Sequence, residues 1–150
     1  SMVLPRIGTE AFSRKGLLNP GSIRAFAEEQ IKAYDIRCPG PMTRAGALSG
    51  GNLQKALLAR ELAFDPKVLI VSQPTRGLDI GAARFIHEKF LAMRAKGCGI
   101  IVIGEDLEEL LMLSDRIAVM YEGRIAGTLA SADASVARLG LMMTGAEGHA

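Results

Sequence analysis

Apolar positions recur at three- and four-residue spacing in some stretches of the chain and run unbroken in others, and the two patterns alternate. Residues 19–35 open with Asn19-Pro20, a cap and first-turn proline, and place Ile23, Phe26, Ala27, Ile31 and Tyr34 on one helical face. The proline- and glycine-rich segment from Cys38 to Ala47 reads as a loop. A second helix is predicted from about Gly51 to Phe64, stopped by Asp65-Pro66. Val68 to Val71 and Ile100 to Ile103 are continuous apolar runs, the pattern of strands buried on both faces. Between them Ala83, Ile86, Phe90 and Met93 mark a third helix ending at Lys96-Gly97. Asp106 and Glu109 have capping-box spacing before a short helix through Leu113. Arg116 to Tyr121 and Arg124 to Leu129 flank Glu122-Gly123 and predict a hairpin. Ser131 is the expected cap of a last helix carrying Val136, Leu139 and Met142, with a loose tail from Gly145.

Strand, helix, strand, helix and strand in the middle of the chain predict an α/β fold with a parallel sheet, preceded by a helical piece. Two parallel strands and a hairpin make a thin sheet with exposed edges, the expectation for part of a domain. At 150 residues the chain suits one ordinary domain, and its net charge of +2 is too small for a nucleic-acid or membrane-surface footprint. No apolar run has the length of a membrane span and the N-terminus lacks a signal-peptide pattern, so a cytosolic location is expected. Cys38 and Cys98 stand apart from each other and from any Cys/His grouping, which predicts two reduced thiols without a metal. Ser1 and Met2 have the look of a cloning remnant and carry no weight in the fold reading.

The chemistry concentrates in Leu48-Ser49-Gly50-Gly51. Serine and two glycines at a helix start suit a phosphate: the glycines permit close approach, the first-turn N–H groups point outward, and the helix dipole favours negative charge. The tetrapeptide alone is weak, since many ordinary helices begin this way. Its context adds weight. LSGGN is followed by a helix carrying Gln54, Lys55 and Arg60, then the VLIVSQ run, then PTRGLD, then a strand ending in Gly104-Glu105-Asp106, then SDRIAVMYEG.

That ordered set resembles the second half of an ATP-binding-cassette (ABC) ATPase domain, from about Phe12 to Gly145. LSGG at 48–51 looks like the family's signature, VLIVSQ at 68–73 occupies its Walker B strand, RGLD at 76–79 looks like its D-loop, and Glu105 stands where the family has a switch histidine. GGNLQK with QPTRGLD is most similar in form to the second cassette of tandem-cassette importers for simple sugars and nucleosides. The implied architecture is a partial P-loop NTPase core of ABC type: a helical signature subdomain over 3–65, the distal half of the nucleotide-binding core over 66–145 with a closing hairpin, and a tail over 146–150. The half carrying the phosphate loop is absent, since G-x-x-x-x-G-K-[ST] occurs nowhere in the sequence.

The resemblance also implies an asymmetry. Where the family has a magnesium-holding aspartate and a water-positioning glutamate, the chain has Ser72 and Gln73, and neither supplies a carboxylate at any pH. Glu105 in place of histidine would repel a γ-phosphate. Cassettes of the family pair head to tail, so Ser49, Gly50 and Gly51 are expected to face a nucleotide held by a partner cassette, with Asp79 reaching toward the same site. Ser72, Gln73 and Glu105 would line a degenerate site, leaving no catalytic residue in this chain alone. ATP and Mg²⁺ are implied for the full-length parent, with no tight binding by this chain. The implied partners are a second cassette and membrane permease subunits met through the helical subdomain, with the parent peripheral on the cytoplasmic face of the inner membrane. Nucleic acid is not among them. Uncovered strands further predict a homo-oligomer of the isolated chain. A soluble cassette acting in translation or DNA repair, a regulatory domain that completes another subunit's site, or an inactive folding unit remain open at this level. His87 and His149 are assigned no site.

Overall fold

The structure is a computed structural model that describes residues 2–145. In chain order its elements are β1 (Ser13–Arg14), β2 (Leu17–Leu18), α1 (Pro20–Ala33), α2 (Gly50–Leu62), β3 (Val68–Ser72), α3 (Ile80–Ala95), β4 (Gly99–Ile103), α4 (Leu107–Leu113), β5 (Arg116–Tyr121), β6 (Arg124–Ala130) and α5 (Val136–Met143). The expected α/β architecture is present, with β3 paired to β4 and β5 to β6. The chain divides into two compact units, residues 2–69 with 74–99 and residues 70–73 with 100–145. The expected subdomain boundary at 65/66 separates α2 from β3, whereas these units keep α3 with α1 and α2. The tail at 146–150 and His149 lie outside the described residues.

The first unit is helical because its local signals agree with its packing. Asn19 Oδ1 accepts from Ser22 N–H at 3.2 Å with Pro20 in the first turn, which fixes where α1 starts. Phe12, Phe26 and Phe64 meet at centroid distances of 5.2 to 6.5 Å, with the Arg6 guanidinium 4.7 Å over Phe64. α2 buries Leu58, Ala59 and Leu62, and α3 buries Ala82, Ile86, Phe90 and Met93 at helical spacing. α3 stops where Gly97 takes φ +88°, a left-handed position that favours glycine. The β1–β2 hairpin, antiparallel with Ser13 opposite Leu18, does not follow from apolar periodicity; its local signal is Lys15-Gly16, both at positive φ. Neither Cys38 nor Cys98 forms a disulfide.

β3 and β4 depart from the usual burial of continuous apolar runs and agree with the expectation of uncovered strands. Gly99 N–H donates to Lys67 O at 2.9 Å and Gln73 N–H to Ile103 O at 2.8 Å, so the two strands run parallel. They are not buried on both faces. Leu69 is buried, yet Val68, Ile70, Ile101 and Ile103 are 53 to 65% exposed. A continuous apolar run signals two covered faces only where layers cover both, and within this chain one face is left open.

In the second unit Leu110, Ile117, Val119, Leu139 and Met142 form the core, and Leu139 has no exposed surface. β5 and β6 pair from Arg116 opposite Ala130 to Tyr121 opposite Arg124, with Glu122 at φ +47° and Gly123 at φ +75° making the tight turn that the sequence predicts. Asp106 Oδ1 accepts from Glu108 and Glu109 N–H at 3.1 Å each and starts α4. The last helix corrects an expectation: Ser135, not Ser131, is its cap, accepting from Arg138 N–H at 3.2 Å. Ser131 instead donates its hydroxyl to Leu111 O at 2.9 Å, because β6 extends to Ala130 and carries that serine to α4. Among the described residues no helix is long and apolar enough to cross a membrane.

Candidate functional site

The site in the first unit is built on the start of α2. Ser49 is extended (φ −63°, ψ 158°) and occupies the N-cap position without capping through its side chain. The helix ladder begins with Leu53 N–H to Ser49 O at 2.9 Å, so the N–H groups of Gly50, Gly51 and Asn52 have no acceptor within the helix. An atom added as Cβ at Gly50 would meet nothing within 4 Å, whereas at Gly51 it would lie 3.5 Å from Ala82 Cβ and 4.0 Å from Leu78 Cδ2. Gly50 therefore leaves the approach to the amides open, and Gly51 faces the start of α3, where a Cβ would make ordinary van der Waals contact.

That contact brings the second motif to the first. Asp79 caps α3, its Oδ1 accepting from Ala82 N–H at 2.8 Å. Leu78 and Ala82, on either side of it, are the residues that Gly51 faces. Gln54 Nε2 donates to Pro74 O at 3.3 Å and ties α2 to the turn that leads into Asp79. Ser49, Gly50, Gly51 and Asp79 are thus gathered in one unit, with the carboxylate of Asp79 in use as a helix cap.

Two features of this site escape a reading of motifs. Asn52 Nδ2 donates to Ser49 Oγ at 2.8 Å while Arg37 N–H donates to Asn52 Oδ1 at 2.7 Å. One turn on, Lys55 Nζ donates to Asp35 O at 3.0 Å and pairs with Asp35 Oδ2 at 3.2 Å, and it lies 4.7 Å over the Phe85 ring. Lys89 Nζ stacks over Phe85 and Tyr34, at 5.0 and 4.8 Å, on the same cluster. Burial first, and the charge of Asp65 second, push the Tyr34 phenol above its ordinary pKa. The only sequence signal for this arrangement is Asn52 and Lys55 at i, i+3 on one helix; their partners lie 15 and 20 residues upstream.

The second unit holds the other set. Ser72 ends β3, Gln73 follows it at φ +51°, and Glu105 follows β4. Because Gln73 N–H bonds to Ile103 O, all three stand at one end of the strand pair. Ser72 and Glu105 are exposed and Gln73 is half-buried. A divalent cation prefers several anionic oxygens, and this end offers two neutral side chains and one carboxylate, so the residues present do not fit Mg²⁺. Among the described residues no group of three His, Cys, Asp or Glu could hold a metal.

No protein-family profile matches the chain. It is 48% identical over 130 residues to the glucose import ATP-binding protein TsgD13 of Haloferax volcanii, an alignment covering 85% of this chain and 24% of that protein. To the guanosine import ATP-binding protein NupO of Bacillus subtilis it is 44% identical over 134 residues, covering 89% and 26%. To the ribose import ATP-binding protein RbsA of Bacillus subtilis it is 39% identical over 145 residues, covering 97% and 29%. The chain therefore spans about a quarter of the length of these relatives. Among solved structures, a dimeric bacterial ABC transporter cassette superposes with a TM-score of 0.69 at 24% identity, over 87% of this chain and 54% of the other. A nucleotide-free ATP-binding cassette from an ABC transporter superposes at 0.61 and 27% identity, over 71% and 42%.

Proposed function

The chain belongs to the ATP-binding-cassette ATPases, and from that premise we propose that it is the distal part of one cassette in the ATP-binding subunit of an importer for simple sugars or nucleosides. In this reading its signature helix completes an ATP site held by a partner cassette. The observation that carries it is the start of α2, where Ser49 is free of capping duty, Gly50 faces open space and three backbone N–H groups lack helical acceptors. Such an amide cluster at a helix N-terminus is complementary to a phosphate and supplies only one side of a nucleotide site. The other side, a phosphate loop, is a motif the sequence does not contain.

The names of these relatives, import ATP-binding proteins for glucose, guanosine and ribose, support the transport reading and the substrate class. When bound, ATP supplies the phosphoryl group whose cleavage drives the cycle. This chain's part is to place Ser49 Oγ and the amides of Gly50 and Gly51 against the terminal phosphate, with Asp79 holding α3 beside them. Its own Ser72, Gln73 and Glu105 neither bind Mg²⁺ nor position water, so hydrolysis occurs at the partner's nucleotide. Permease subunits meet the helical unit, where Met42 is 86% exposed beside an apolar cavity of about 110 Å³ lined by Ile31, Ile36, Leu48, Leu53 and Leu57. The assembly then sits on the cytoplasmic face of the membrane.

Protection of a cysteine tests this reading. In a full-length protein carrying this segment and otherwise free of cysteine, Ser49→Cys is expected to react with a maleimide in the absence of nucleotide. A nonhydrolysable ATP analogue with Mg²⁺ is expected to slow the reaction at least tenfold, while the isolated 150-residue chain shows no protection. Equal labelling rates with and without the analogue in the full-length protein would contradict the proposal.

A further inference from the structure

The hydrogen bonds around Asn52 have only one consistent polarity. A backbone N–H can only donate, so the Arg37 N–H at 2.7 Å requires that the Asn52 oxygen face it. The amide nitrogen must then face Ser49 Oγ at 2.8 Å, and because an NH₂ group can only donate, Ser49 Oγ must accept. The orientation of the amide follows from its partners and needs no choice between its two ends. A serine hydroxyl has one proton. With its oxygen engaged by Asn52 and its side chain making no cap to α2, that proton is left to donate away from the helix.

We infer that Asn52 is a positioning residue that holds the Ser49 hydroxyl as a hydrogen-bond donor to a terminal phosphate oxygen. The inference rests on the proposed role of the signature helix and deepens it, since the residue acts on the ligand only through Ser49. The segment that anchors Asn52 is itself fixed from α2. Lys55, 12% exposed, grips the carbonyl and carboxylate of Asp35, two residues before Arg37, and Asp35 takes φ +45° to allow it. Ile36, between them, is buried. The Arg37 N–H is therefore a fixed donor, and the polarity passes from it through Asn52 to Ser49.

Asn52→Asp is the informative change, because it is isosteric and keeps an oxygen for the Arg37 N–H. It replaces the NH₂ donor by a second acceptor, so the Ser49 hydroxyl must turn its proton toward residue 52. In the full-length protein carrying this segment, equilibrium binding of the analogue AMP-PNP with Mg²⁺ is compared for wild type, Ser49→Ala, Asn52→Asp and the double variant. A hydrogen bond to a charged group corresponds to roughly a tenfold to hundredfold change in affinity. Ser49→Ala is expected to weaken binding by that factor, and Asn52→Asp by at least as much. The added charge at 52 acts with or without the hydroxyl, so the double variant separates the two effects: Asn52→Asp is expected to cost clearly less in the Ser49→Ala background. A loss with Ser49→Ala together with equal Asn52→Asp effects in both backgrounds would overturn the positioning role and leave the signature reading standing. No loss with Ser49→Ala would overturn both. Full affinity for Asn52→Asp would show that Asn52 serves only to anchor Arg37 and would likewise overturn the inference.

Discussion

Arginine at position 49 is expected to remove nearly all ATP turnover from a full-length protein carrying this segment. The side chain would fill the open space before Gly50 and end the donation from Ser49 to the phosphate. Loss of a single preorganised donor to a developing anion slows other enzymes by roughly 100- to 1,000-fold, and here steric exclusion adds to that loss. Ser72→Ala and Gln73→Ala, each made alone, are expected to stay within about twofold of wild type, because neither side chain can ionise to hold a metal or activate water. Steady-state phosphate release from the three variants checks the contrast. Equal losses at 49, 72 and 73 would mean that the strand end in the second unit is catalytic after all.

The second large effect concerns the open strands. Val68, Ile70, Ile101 and Ile103 present more than half of their surface to water, and β3 and β4 pair only with each other among the described residues. Apolar burial contributes about 25 cal/mol per Å², so covering a few hundred Å² favours association by several kcal/mol before entropic costs. The isolated chain is therefore expected to self-associate at tens of micromolar, and the double variant Ile70→Lys, Ile101→Lys to shift it toward monomer at the same concentration. Light scattering over a dilution series measures both. A wild-type monomer with a single cooperative unfolding transition would show that the chain closes its own core.

What the sequence revealed and what it hid divides along the range of the interactions. Helices α1, α2 and α3 were legible because their apolar stripes and their caps at Asn19 and Asp79 are set within a few residues. The β5–β6 hairpin was legible because Glu122-Gly123 fixes its turn. The exposure of Ile70 and Ile101 was legible only from the thin sheet that two parallel strands and a hairpin make, since a run of apolar residues by itself records what a strand is suited to meet and carries no information on whether that layer is present. Ser131 and Ser135 are equal candidates as caps by local chemistry; the length of β6 and the bond from Ser131 to Leu111 decide between them. In the site, Ser49, Gly50, Gly51 and Asp79 are candidates drawn from ordered motifs, and the structure packs Gly51 against Leu78 and Ala82, which lie on either side of Asp79. The link from Arg37 through Asn52 to Ser49 needs a loop folded back by 15 residues, which no short pattern encodes.

The central claim is that this cassette lends its signature to a partner's ATP and hydrolyses none at its own strand end. The most direct measurement is the stoichiometry of a single turnover: a full-length protein carrying this segment is loaded with radiolabelled ATP at both sites, freed of excess nucleotide, and started with Mg²⁺. The account predicts release of one phosphate per pair of cassettes, with the second ATP recovered intact. Two phosphates released at the same rate would contradict it.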